Sequence, residues 1–342
     1  EVENDSALPF DPFSAVFYLV SRYEEYLPHK QDFMGRYTPE QSLAFKHNFL
    51  SIPIVNIWVK QLAALIKNSF PALQFKQKEF EVIDTLDIDN AFAYLEKGFW
   101  RNLGGYFKSA LHFDIKSILN RSRVLCGLNP DPYNTYTYLL EQISGRAKRP
   151  LCFVLLGDYW RFDKNVSWKS EKLQEVIKGL SAHADIGIHP SVGSNGRPKQ
   201  VNIEMERLGS ILKKKVCLSR QHYLKFSLPE TYRNLIKSGI TDEYSMGYSS
   251  VIGFRAGIST PFYFYDLVLE SETYLRIHPF AVMDRALKDH LHLTPGEAIE
   301  QLNELREQLK NVGGTLMTIW HNESLTNSGE WKGWRPVYES LY

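Results

Sequence analysis

The sequence predicts an α/β protein with a mainly parallel sheet, preceded by a helical segment. Three observations carry that expectation. From about Phe80 onward, short apolar runs recur, each followed by a polar cluster; stretches of helical period lie between or beside them; and the first eighty residues are aromatic-rich with helical spacing. Parallel strands need crossover connections of a dozen residues or more, which such helices supply. The expected division is a helical accessory region over 1–79, read as the end of a longer domain, and an α/β domain over 80–342.

Phe13 to Tyr26 and Ile54 to Ile66 place apolar residues at helical spacing, while His29 to Pro39, polar and containing Gly35, reads as a loop. Strands are expected at Glu81 to Leu86, Leu151 to Leu156, Asp185 to Ile188, Lys215 to Leu218 and Thr315 to Trp320. Helices are expected at Ser170 to Ala182, Ile203 to Leu212, Pro229 to Ser238 and Pro295 to Asn311. Pro295 near the start and Gly313-Gly314 past the end mark the last of these, because proline suits a first helical turn and glycine the left-handed stop. In sheets of this kind ligands gather at the carboxyl ends of the strands, so chemistry is sought there.

Composition narrows the function classes. The 342 residues are 44% hydrophobic and 23% charged, an ordinary globular balance. Forty Lys plus Arg against 39 Asp plus Glu leave a charge of +1, so no broad basic field exists to gather phosphates, and nucleic acid is not an expected partner. Cys126, Cys152 and Cys217 are odd in number and far apart, which argues against a disulfide framework and a thiolate zinc site. No apolar run reaches the ~18 residues of a membrane span, and Glu1 to Ser6 are acidic and polar, unlike a signal sequence. These features slightly favour the cytoplasm without fixing a compartment, and the absent initiator methionine leaves a removed leader or a further domain upstream open. No glycine-rich phosphate loop is present.

Three strand ends carry candidate chemistry. Asp87 and Asp89 close the Glu81 run and would point the same way if the strand continued through them. One carboxylate can hold a metal while the other moves a proton; the plainer reading is solvated loop acids or helix caps. His189 ends the Asp185 run, either a metal ligand or a packed imidazole. His321 follows the Thr315 run, with Asn322 and Glu323 behind it, and is read either as a general acid working near neutral pH or as a structural residue. Two further stretches join them. Arg220 is suited to orient a carboxylate such as Asp87, and Arg255 to do the same or to bind a substrate oxygen. His222 is read as a metal ligand, a sugar contact or a buried residue, with Tyr223 beside it. The aromatics around Tyr159-Trp160 and from Trp331 to Trp334 suit either sugar stacking or core packing.

Taken in order, Asp87-x-Asp89, His189-Pro190-Ser191, Ser219-Arg220-Gln221-His222-Tyr223, Gly253-Phe254-Arg255-Ala256-Gly257 and Trp320-His321-Asn322 resemble the successive motifs of the polysaccharide deacetylase family, the NodB-homology carbohydrate esterases. The likeness runs from roughly Phe80 to the end. The stretches Pro9 to Phe13 and Ser21 to Tyr26 look like the tail of a helical domain that accompanies one branch of that family. The resemblance implies a distorted (β/α)7-type barrel and a metal-dependent deacetylase acting on an N-acetylated sugar or polysaccharide. It implies Asp87 as base, Asp89 and His189 as ligands of a divalent metal, most often zinc, and His321 as the acid that protonates the leaving amine. Arg220 would support catalysis, while Arg255, Tyr223, Trp320 and Ser191 would bind the glycan. The sequence departs from the pattern at Gly193, where the family usually has a second histidine four residues after the first, and at Pro190, where it usually has Ser or Thr. Ser191 or Ser194, His222 or a water would then complete the ligand set. The competing expectation is a catalytically silent carbohydrate-binding relative of the same fold.

Overall fold

A computed structural model describes residues 7–144, 146 and 148–342; the Glu1 to Ser6 stretch lies outside the described residues. Helices α1 (Pro12–Val20), α2 (Leu43–Lys46) and α3 (Ile54–Ser69) precede strand β1 (Glu81–Ile88). Helices α4 (Gly98–Leu111), α5 (Ile115–Leu125) and α6 (Tyr136–Ile143) come next, then β2 (Leu151–Val154), α7 (Glu171–Ser181), β3 (Asp185–Ile188), α8 (Pro198–Leu212), β4 (Leu218–Ser219), α9 (Glu230–Lys237) and β5 (Asp242–Glu243). The remainder comprises β6 (Phe262–Asp266), β7 (Ser271–Ile277), β8 (Val282–Met283), α10 (Pro295–Val312), β9 (Thr315–His321) and α11 (Arg335–Glu339). The protein is therefore mixed α/β, with parallel strands joined through helices and a helical segment in front.

The chain forms two compact units, one of Glu1–Asp84, Cys217–Ile319 and Ser340–Tyr342, the other of Thr85–Val216 and Trp320–Glu339. In the second unit β1, β2 and β3 pair in parallel, with Asp87 opposite Phe153 and Phe153 opposite Gly187. Leu86, Ile88 and the whole of β2 are buried, which is why these strands read as continuous apolar runs rather than as alternation. Ser170 caps α7 by accepting from the Leu173 amide, and the helix buries Leu173, Ile177 and Leu180.

In the first unit β4, β5 and β7 are parallel, β6 returns antiparallel to β7, and β8 pairs in parallel with β9. The helical segment is built into this unit. The Leu50 carbonyl accepts from the Phe254 amide at 2.8 Å, and Val55 N–H donates to the Gly257 carbonyl at 2.9 Å. Gly253 has φ +144, and a Cβ there would lie 2.5 Å from the Leu50 oxygen, so that approach requires glycine. A capping box of Thr294 and Glu297 starts α10, and left-handed Gly313 stops it, as Pro295 and the glycine pair predict.

Several expectations need correction. The helix expected to reach Tyr26 ends at Val20, because Arg22 turns left-handed (φ 57) and buries its guanidinium against Glu24 and Glu25. The strand expected at Lys215 to Leu218 is only Leu218–Ser219, since the exposed lysines before it pair with no neighbouring strand. Within the His29 to Pro39 loop, Gln31 and Tyr37 form an antiparallel bridge, and Asp32 accepts from the Met34 and Arg36 amides. The three helices over 98–143, the β6–β7 hairpin and β8 were not expected from the pattern.

Candidate active site

The second unit gathers four of the predicted side chains at the carboxyl ends of its strands. Asp87 and His189 are buried, and their strands set them near one another through the parallel register of β1, β2 and β3. The strand β1 stops at Ile88, one residue short of Asp89, yet both carboxylates reach the same imidazole. His189 Nε2 lies 3.2 Å from Asp89 Oδ1 and 3.8 Å from Asp87 Oδ2. His321 Nε2 lies 3.7 Å from the other Asp89 oxygen, Oδ2. The His321 side chain retains 12% exposure, so it is reachable from solvent where His189 is not.

The loops that present these groups are tied down. Asp131 accepts from the backbone amides of Ala93, Tyr94 and Leu95, fixing the loop that leaves β1. Asn322 donates from Nδ2 to the Asn90 and Tyr133 carbonyls, which holds the turn after His321 against the turn after Asp89. Ser324 Oγ accepts from the His321 amide at 3.2 Å and donates to the His321 carbonyl at 2.7 Å. Asp131 carries no sequence signal as a site residue and Asn322 enters only as the end of the Trp320-His321-Asn322 motif; their partners lie 36 to 38 and 189 to 232 residues away.

The donor set fits a divalent ion. Two ligands about 2.0–2.1 Å from a tetrahedral zinc stand roughly 3.4 Å apart, close to the 3.2 Å between His189 Nε2 and Asp89 Oδ1. An imidazole nitrogen beside a carboxylate oxygen is also the mixed set zinc accepts.

Around position 193 the structure has another use for the backbone. Asp163, fully buried, accepts from the amides of Val192 and Gly193 at 2.9 Å each. Ser191 donates its hydroxyl to Glu204 at 2.6 Å and accepts from the Ser194 amide, and Ser194 Oγ donates to the Ser191 carbonyl. Burial pushes the Glu204 carboxyl up from its ordinary value. Ser191 is thus a buried member of a loop-fixing network.

Trp320 is 1% exposed and packs edge-on against Tyr338 in the core of the second unit. In the first unit Arg255 is buried, with Nε and Nη2 on the two oxygens of Glu25 at 2.8 and 2.6 Å and Nη1 on the Gly247 carbonyl. It braces the helical segment. Arg220 is fully buried and donates from Nε to the Tyr244 carbonyl. His222 is buried, with the half-exposed, left-handed Tyr223 tilted against it at 4.5 Å.

Residues 1–71 match a family of unknown function, DUF7033. No curated protein matches the chain. Among solved structures, a protein from Mycobacterium smegmatis named as a polysaccharide deacetylase is similar at 14% identity, with 79% of this chain and 85% of that chain covered and a TM-score of 0.50. An allantoinase is similar at 8% identity over 92% of this chain and 90% of its own, with a TM-score of 0.49. A polysaccharide deacetylase from Bacillus cereus is similar at 9% identity over 77% and 86%, with a TM-score of 0.35. The first of these likenesses shows a shared α/β fold.

Proposed function

We propose that the chain is a metal-dependent hydrolase that removes the acetyl group from an N-acetylated sugar or polysaccharide. The observation that carries this reading is the meeting of Asp87 and Asp89 on one buried imidazole, His189, with His321 on the far oxygen of Asp89. The fold shared with a protein named as a polysaccharide deacetylase supports it. Asp89 and His189 are the proposed metal ligands, one carboxylate and one imidazole, a mixed set that zinc accepts. When bound, such an ion supplies Lewis acidity, polarising the acetyl carbonyl and acidifying a water.

Asp87, not needed as a ligand, takes the proton from the attacking water. His321 delivers a proton to the amide nitrogen as the carbon–nitrogen bond breaks, since an amide anion is too poor a leaving group to depart alone. Acetate and a free amine result. Tyr223, half-exposed beside His222, is the proposed sugar contact. The test is acetate release from acetylated amino-sugar oligomers. The reading predicts turnover that a chelator abolishes and that Asp87→Asn removes while metal stays bound; turnover indifferent to both would overturn it.

A second reading has its own observation. Position 193 carries no imidazole and its amide is spent on Asp163, which favours a carbohydrate-binding protein of the same fold without turnover. Glycan binding with no acetate released under any added divalent ion would support it.

A further inference from the structure

We infer that the α4–α5 hairpin is a docking surface for an anionic lipid membrane, on which it lies without crossing. At about 100° per residue, Phe99, Trp100, Leu103, Phe107 and Leu111 fall within roughly 120° of arc on α4. All are exposed, Trp100 by 79% and Phe107 by 68%, and the turn into α5 adds Phe113 at 89%. The flank of α4 beside the stripe is satisfied within its own unit. Tyr106 shares a hydrogen bond with Ser122 at 2.8 Å, and Arg121 donates to Asn102 at 3.0 Å while lying over the rings of Tyr94 and Tyr106. The apolar stripe is therefore the outward face of a packed hairpin, larger and more continuous than the scattered apolar residues of an ordinary surface.

Charge identifies the occupant. Residues 97–129 hold six Lys and Arg and a single acid, Asp114, a net +5 in a chain whose total is +1. Asp114 is itself engaged as the cap of α5, accepting from the Ser117 amide. Lys108 and Lys116 are exposed on the hairpin that carries the aromatic stripe. An aromatic and aliphatic face flanked by cations is what an interfacial helix presents, its rings at the acyl boundary and its cations at acidic headgroups. A second copy would set the exposed Lys108, Lys116 and Arg123 against their own counterparts and is disfavoured. The hairpin cannot span: α4 is 14 residues, about 21 Å at 1.5 Å per residue against the ~30 Å of a bilayer core, and no described helix is long and apolar enough to cross. The inference does not depend on which reaction the active site performs.

The test is co-sedimentation of the full chain with vesicles of phosphatidylcholine alone and of phosphatidylcholine mixed with phosphatidylglycerol, alongside light scattering of the free protein. The expected result is binding to the anionic vesicles only, weakened by salt, and lowered about tenfold or more in Trp100→Ser/Phe107→Ser and in Lys108→Glu/Lys116→Glu. Phe113→Ser, in the turn between the helices, supplies an independent variant whose fold is checked by circular dichroism. No binding to anionic vesicles, or binding unchanged in all three variants, overturns the inference. So does a dimer that Trp100→Ser/Phe107→Ser dissociates while vesicles go unbound, which would make the face an interface between copies.

Discussion

Glu25→Gln should be among the most destabilising single changes in the first unit, and its effect should vanish in acid. Glu25 is 7% exposed and receives Arg255 on both oxygens and Arg22 Nε at 2.7 Å, with those arginines 3% and 1% exposed. Burial alone would raise its carboxyl, but the two guanidiniums outweigh burial and hold it at about 2, against an ordinary 4.5. At 1.36 kcal/mol per pKa unit that is about 3 kcal/mol, in line with the roughly 3–5 kcal/mol lost when one member of a buried ion cluster is neutralised. For units of this size about 2–4 °C are lost per kcal/mol, so the variant's Tm should fall by roughly 10 °C at neutral pH. Because the folded value lies below the unfolded one, the stabilisation is complete above about pH 4.5 and disappears as pH falls toward 2. Thermal melts of both proteins between neutral pH and pH 3 should therefore converge on acidification. A Tm loss under about 2 °C at neutral pH, or a gap that does not narrow in acid, would refute the reasoning.

Three more predictions concern the second unit. Trp320→Ala should cost about 3–5 kcal/mol in denaturant melts, as a buried indole lost from the core does; unchanged stability would return Trp320 to a surface role. Gly193→His should fold, because a Cβ there meets Asp163 Oδ2 and Ser191 Oγ only at 3.5 and 3.6 Å, and should bind zinc at least about tenfold more tightly by calorimetry. No gain would mean that position 193 does not face the proposed ligands. His321→Ala should lower turnover by about 10²–10⁴ while leaving metal content unchanged; equal loss of metal would move His321 from proton donor to ligand.

What the sequence discloses divides along physical lines. The strand ends at Asp87, His189 and His321 are legible because a buried parallel strand is a short apolar run with an abrupt polar end, and that end is where side chains meet. Strand β4 is not, since two paired residues make no run. The α4–α5 hairpin escapes because its apolar stripe faces outward and Gly104-Gly105 interrupts the helical pattern. Arg255 illustrates a different limit: a glycine-flanked arginine suggests substrate oxygen, but its partner Glu25 stands 230 residues away and only the folded chain brings them together. Ser191 and Trp320 sit in motif positions that the resemblance assigns to glycan, yet the one is consumed by Glu204 and the other by the core.

The central claim is that Asp89 and His189 hold a divalent metal. Elemental analysis of the purified protein, beside Asp89→Ala and His189→Ala, tests it most directly. The account predicts near-stoichiometric zinc or another divalent ion in the parent protein and its loss in both variants; no metal after incubation with zinc, cobalt, nickel or manganese, or metal undiminished in both variants, would contradict it.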